Sequence, residues 1–134
     1  MNGTTITTRR LTGLYGLLRI IVGVFALIAP NRLTTLWVGR IRPREASVVL
    51  GRALGARDVA IGAGTLASSL SDRPVSSWIV AGGSADAVDA LVTATAWRRL
   101  PRKRRVLVLL AAGGGTAAAG MLLPLVERTE GTRR

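Results

Sequence analysis

The chain has 134 residues, room for one domain, and 49% of them are hydrophobic although 19% are charged. Nineteen Lys and Arg face seven Asp and Glu, a formal charge of +12, and there is no cysteine or histidine. Those absences exclude disulfides, thiol redox chemistry, Cys/His zinc sites, His-ligated haem and His- or Cys-based catalysis.

A mean hydropathy of +0.37 beside that much charge means the charge is concentrated between apolar spans. So basic a balance is also the footprint of a nucleic-acid binder. Such a domain does not carry several apolar spans of about 20 residues, the length that crosses a bilayer, and no nucleic-acid partner is expected. The arginines fit membrane topology instead, because Lys/Arg bias in short loops sets orientation.

Residues 1–10, MNGTTITTRR, read as a polar N-terminal tail. Residues 11–29 form the first span, interrupted only by Arg19 and stopped by Pro30. A basic tail before an apolar core also fits a signal peptide. Arg19 breaks that core, and Pro30 is a poor cleavage context, so the span reads as retained. Residues 31–45 form a loop carrying Arg32, Arg40, Arg42 and Arg44 against Glu45, with Leu33, Leu36 and Trp37 suited to a membrane interface. The second span covers about residues 46–70. Ser71-Asp72-Arg73-Pro74 is a tight neutral turn, which makes the second and third spans antiparallel neighbours.

The third span, about residues 75–97, contains Asp86 and Asp89. RRLPRKRR at 98–105 carries six positive charges and no acid. The fourth span, 106–126, has 21 residues without a charge, the clearest membrane signal in the chain. Residues 127–134 read as a polar, frayed C-terminal tail. The predicted fold is all-α, a four-helix transmembrane bundle with short loops over residues 11–126. The loops 31–45 and 98–105 hold nine net positive charges, against three on the opposite side. The bias places both loops in the cytoplasm and both termini outside a cell membrane crossed several times.

Within the spans, Arg19, Arg52 and Arg57 stand against Asp58, Asp86 and Asp89, three against three. An unpaired charge in a membrane is costly, so a matched set is what a stable bundle needs. The run GRALGARDVAIGAG at 51–64 holds half of them. A hairpin folded near residues 72–73 puts Arg57 level with Asp86 and Asp89, and Arg52 about a turn from Asp89. Arg57 is expected to pair with Asp86 or Asp89, and Arg19 with Asp58. Helical spacing puts Gly82, Asp86, Asp89 and Thr93 on one face of the third span. On the second span, Ala56, Ala60, Ala63, Gly64 and Ala67 form one small-residue strip, while Gly51, Gly55 and Gly62 cluster beside Asp58. Two such faces predict two close neighbours and a central second span. Tyr15, Gly16, Arg19, Gly23 and Ala26 offer a face that matches the Asp58 side.

At GRALGARDVAIG the chain resembles a family of small bacterial and fungal four-helix membrane proteins of unknown function, loosely akin to the DoxX-like group. The resemblance is carried by Gly55-Ala56-Arg57-Asp58 with Gly62, followed by Asp86-x-x-Asp89. It implies the four-span layout and no activity, and the DoxX-like analogy alone raises a quinone-linked redox accessory.

Two readings of the network are open. It fixes helix register and nothing more, or it lines a polar pocket for a lipid headgroup, quinone, ion or small substrate. Arg98, Arg99, Arg102, Lys103, Arg104 and Arg105 read as a topology signal that also contacts anionic lipid. No nucleophile–base pair, metal cluster or nucleotide loop is present, so no enzyme, cofactor or metal is expected. The expected function is a small polytopic membrane protein acting as a structural or accessory component in the lipid bilayer. Its partners are expected to be further copies of itself or another membrane protein. The alternatives are a minimal oligomeric transporter or channel using Asp86 and Asp89 for a cation or proton, or a quinone- or lipid-binding accessory protein.

Overall fold

The computed structural model describes residues 3–37, 44–71, 73–95, 98 and 102–131, and among them all regular structure is helical. In chain order the helices are α1 (Gly3–Ile28), α2 (Pro30–Trp37), α3 (Arg44–Leu70), α4 (Ser76–Thr95) and α5 (Arg102–Gly131). Within α1 the stretch Ile6–Ile28, 23 residues of mean hydropathy 2.1, is long and apolar enough to cross a membrane.

The N-terminal segment read as a polar tail is helical from Gly3 onward. Thr7 returns its hydroxyl to the Gly3 carbonyl at 3.1 Å and Thr12, just past that segment, to the Thr8 carbonyl at 3.0 Å, so their polarity is spent inside the helix. Pro30 stops α1, because the residue before a proline avoids helical backbone. It then serves as the first residue of α2, where its missing N–H costs nothing. The Ala29 carbonyl accepts from Arg32 and Leu33 at 3.0 and 3.2 Å and starts the new helix. The segment 31–45 is thus not one loop: it holds most of α2 and the start of α3, and residues 38–43 lie outside the described ones.

The closest packing joins α1 to α3 and α4 to α5, with α2 lying on α3. Glycines set the α1–α3 crossing. A methyl group at Gly62 would stand 2.6 Å from the Gly16 oxygen, and one at Gly55 2.7 Å from the Gly23 oxygen. Both pairs are reciprocal, which fixes the two helices antiparallel with their backbones in contact. Gly51 meets Pro30 in the same way at the start of α2. Gly51, Gly55 and Gly62 are therefore all buried by the chain's own α1 and α2.

The second small-residue strip is not a buried interface. Ala56, Ala60, Ala63 and Ala67 are exposed, and only Gly64 is covered, by the Trp78 ring of α4. The α3–α4 hairpin is antiparallel but loosely packed compared with α1–α3. Alanines are too small to mark a face as inward or outward, so periodicity alone misassigned this one.

The chain also stays helical at both ends of the fourth predicted span. Arg102–Arg105 belong to α5, and so do residues 127–131, read from sequence as a frayed tail. Glu130 has a structural role there. Its carboxylate accepts from the Val75 and Ser76 backbone N–H groups at 2.7 and 3.2 Å and from the Ser76 hydroxyl at 2.9 Å. Val75 precedes α4 and has no capping side chain, so Glu130 satisfies the exposed N–H groups from another helix. Beneath it Val75, Ile79, Ala119 and Val126 form the apolar core of the α4–α5 pair.

Candidate functional site: a buried Arg/Asp network

Arg19 is the hub. It projects from α1, only 8% exposed, into the space between α3 and α4. Its Nη1 donates to Asp58 Oδ1 of α3 at 2.6 Å, and its Nη2 donates to the Gly82 carbonyl of α4 at 2.9 Å. The same Nη2 stands 2.5 Å from Asp86 Oδ2. Nε donates to the Tyr15 hydroxyl at 3.0 Å, one turn back along α1. A guanidinium suits this position because its donors fan out in one plane toward several acceptors.

Arg57 makes the second half. Nη1 and Nη2 clasp the two oxygens of Asp89 at 3.0 and 2.7 Å, a two-pronged pair across α3 and α4. Nη2 also lies 3.4 Å from Asp58 Oδ1, so Asp58 joins the two halves. Arg57 Nε is buried and has no acceptor among the described residues. All three carboxylates are partly buried.

Glycine makes room for these groups. A methyl at Gly82 would strike the Tyr15 hydroxyl at 2.6 Å and crowd the Arg19 guanidinium. One at Gly115 of α5 would collide with the Asp86 carboxylate. Thr93, buried one turn past Asp89, returns its hydroxyl to the Asp89 carbonyl at 2.7 Å. Gly82, Asp86, Asp89 and Thr93 thus share the inward side of α4.

Of the six charges expected in the network, five come together. Arg19 with Asp58 and Arg57 with Asp89 are paired, and Asp86 goes to Arg19 rather than to Arg57. Arg52 does not belong. It is exposed and has no carboxylate partner among the described residues, because five residues turn a helix by about 140° and point it away from Arg57. The network therefore holds two arginines and three aspartates, not three of each.

Arg98 is exposed, Arg99 lies outside the described residues, and Arg102, Lys103, Arg104 and Arg105 are placed only as helical backbone. The roles of Gly115, the Gly82 carbonyl and the Tyr15 hydroxyl exceed what sequence reasoning assigned them. Tyr15 and Gly82 had a signal, their helical spacing from Arg19 and from Asp86; Gly115 had none.

A cavity of about 350 Å³ opens beside the network, floored by its arginines and aspartates and walled by Tyr15, Leu18, Val22 and Ala118. Its volume is in the range of small-molecule sites, and a few polar groups set among apolar walls are the usual makeup of one. Among the described residues no group of His, Cys, Asp and Glu has the arrangement of a metal site. Compared with protein-family models, curated proteins and solved structures, the chain matches none.

Proposed function

We propose that the chain is a four-span integral membrane protein, a structural or accessory membrane component organised round the Arg/Asp network. The observation that carries this reading is the inverted distribution of polarity. Among the described residues 23 large apolar side chains are exposed, from Ile6 and Leu11 to Met121 and Leu125, and six apolar residues are buried. The buried polar set is larger than the apolar one and includes Thr12, Thr65 and Arg19. Water-soluble proteins keep contiguous apolar surface small, whereas a bilayer is a good solvent for it.

The helix lengths agree. The 20 residues of α4 rise about 30 Å, the thickness of a hydrocarbon core, and α3 and α5 are longer still. Their charged residues lower the hydropathy of α3 and α4, but charges that neutralise one another inside a bundle are the form in which membranes tolerate them. The family resemblance of the Gly55-Ala56-Arg57-Asp58 motif supports the same layout, with α2 as a short helix between the first two spans.

The orientation proposed has residues 31–45 and 98–105 in the cytoplasm. The Gly51-x-x-x-Gly55 motif is occupied within the chain, so contacts with other proteins fall to other faces. One observation favours a second reading, a cation or proton transporter at Asp86: the network has one carboxylate more than it has arginines.

The test is alkaline extraction of membranes followed by thiol labelling in intact cells. The protein is expected to stay in the membrane pellet, and single cysteines at Arg40 and Arg102 to resist an impermeant reagent. Release into the supernatant overturns the membrane reading; labelling of both positions reverses the orientation. In proteoliposomes an accessory component gives no solute flux, and proton-coupled flux lost in Asp86→Asn replaces it with the transporter.

A further inference from the structure

We propose that the cavity beside the network is a binding site for a lipophilic organic monocation, which exchanges with a proton carried by the Asp86 carboxyl. The inference rests on the membrane placement above and goes beyond it by assigning a ligand class.

Charge balance comes first. Asp89 takes Arg57 in a two-pronged clasp, Asp58 lies between Arg19 and Arg57, and Asp86 has Arg19 alone, which it shares with Asp58. The groups facing Asp58 and Asp86 are Tyr15 and Arg19 from α1, Arg57 from α3 and Asp89 from α4, and among the described residues α5 lines the cavity with Gly115 and Ala118. With two guanidiniums and three carboxylates, the fully ionised centre carries one net negative charge. An uncompensated charge away from water is expensive, and among the described residues no Lys or Arg besides Arg19 and Arg57 lines the cavity, so we take the balancing charge to come from outside the protein. A proton on one carboxyl supplies it at no cost in space.

The cavity admits a second source. It holds about 350 Å³, and Leu18 and Val22 stand at its rim, both largely exposed. Its walls offer apolar contact and the Tyr15 ring, surfaces that suit an organic cation and an aromatic face that attracts one. A divalent metal ion fits poorly on two grounds. It overcompensates a single negative charge, and it needs six or more oxygen ligands that these walls do not provide. An anion is repelled by the net charge. Because one unit of charge is to be neutralised, proton and organic cation exclude each other: as the cation binds, the carboxyl proton leaves to solvent.

The test uses the full chain in phosphatidylcholine nanodiscs and two probes of the same shape and opposite charge, tetraphenylphosphonium and tetraphenylborate. The phosphonium is expected to bind saturably at one per chain and to release about one proton in weakly buffered solution. Its affinity is expected to fall as the pH is lowered. The borate is expected to partition only as it does into empty nanodiscs. Asp86→Asn, checked for its helical signal and melting curve, is expected to weaken phosphonium binding at least tenfold, and Arg52→Ala to leave it unchanged.

Saturable binding of the borate, phosphonium binding without proton release, or retention of binding in a folded Asp86→Asn overturns the proposal. The wild-type comparison of the two probes stands even if the variant does not fold. Failure of the chain to enter nanodiscs overturns the membrane reading instead; entry without phosphonium binding overturns this inference alone.

Discussion

Replacing Gly62 by alanine tests whether backbone contact between α1 and α3 holds the bundle. A methyl group there meets the Gly16 oxygen at 2.6 Å and the Ile20 nitrogen at 2.9 Å. Relaxed contact needs about 3.5 Å, so the helices must separate by up to about 1 Å at their tightest crossing. Forcing extra volume into a packed interface costs about 1–3 kcal/mol. Against this, alanine gains about 0.5–1 kcal/mol over glycine as a helix former. Gly120 is the internal control, because a methyl group there meets nothing within 4 Å and only the propensity gain remains. The propensity term is common to both variants, so their difference isolates the packing cost, about 1–3 kcal/mol. Unfolding followed by circular dichroism in a detergent micelle measures it. Equal stability of Gly62→Ala and Gly120→Ala would refute the argument that this crossing is close-packed.

The remaining predictions concern charge and capping. Arg19→Met leaves Asp58 and Asp86 without their shared cation and is expected to destabilise by about 3–5 kcal/mol. Adding Asp58→Asn and Asp86→Asn to Arg19→Met is expected to restore most of that, and no recovery in the triple variant contradicts the pairing. Arg52→Ala, outside the network, is expected to change stability by no more than about 0.5 kcal/mol in the same unfolding assay. Glu130→Ala removes the acceptor at the start of α4 and is expected to cost about 0.5–2 kcal/mol, with faster amide exchange at Val75 and Ser76. An unchanged exchange rate there sinks the capping role.

Much of this arrangement is legible in the sequence because helices repeat regularly and hairpins fold at a recognisable turn. Ser71-Asp72-Arg73-Pro74 brings Arg57 level with Asp89, and the i, i+4, i+7 spacing of Gly82, Asp86 and Asp89 gives one charged face. Arg52 is misplaced by the same logic. Pairing by charge balance demanded a third arginine, but depth along a helix says nothing about direction around it. In α3 small residues lie on every side, so no apolar stripe fixes the rotation; the glycine contacts with α1 and α2 do.

What the sequence hides most completely is long-range. The Glu130 carboxylate caps an amide 55 residues away, and a charged residue in a terminal segment gives no hint of such a partner. Arg9 behaves likewise, donating to the Ser71 carbonyl at 2.5 Å just past the end of α3. Both turn predicted polar tails into ordered helix ends. Pro30 is a third case: read as a stop for one helix, it is also the first residue of the next.

The measurement that bears most directly on the account is the depth of the network in a bilayer. Nitroxides placed singly at Ile21 and Leu91, each two residues from a network charge and both exposed, report it by power saturation in liposomes. Ready relaxation by dissolved oxygen with little effect of a water-soluble nickel complex at both sites is the expected result. Strong relaxation by the nickel complex at either site would mean that water reaches the level of Arg19 and Asp89, and the bundle would not be the membrane-embedded object described.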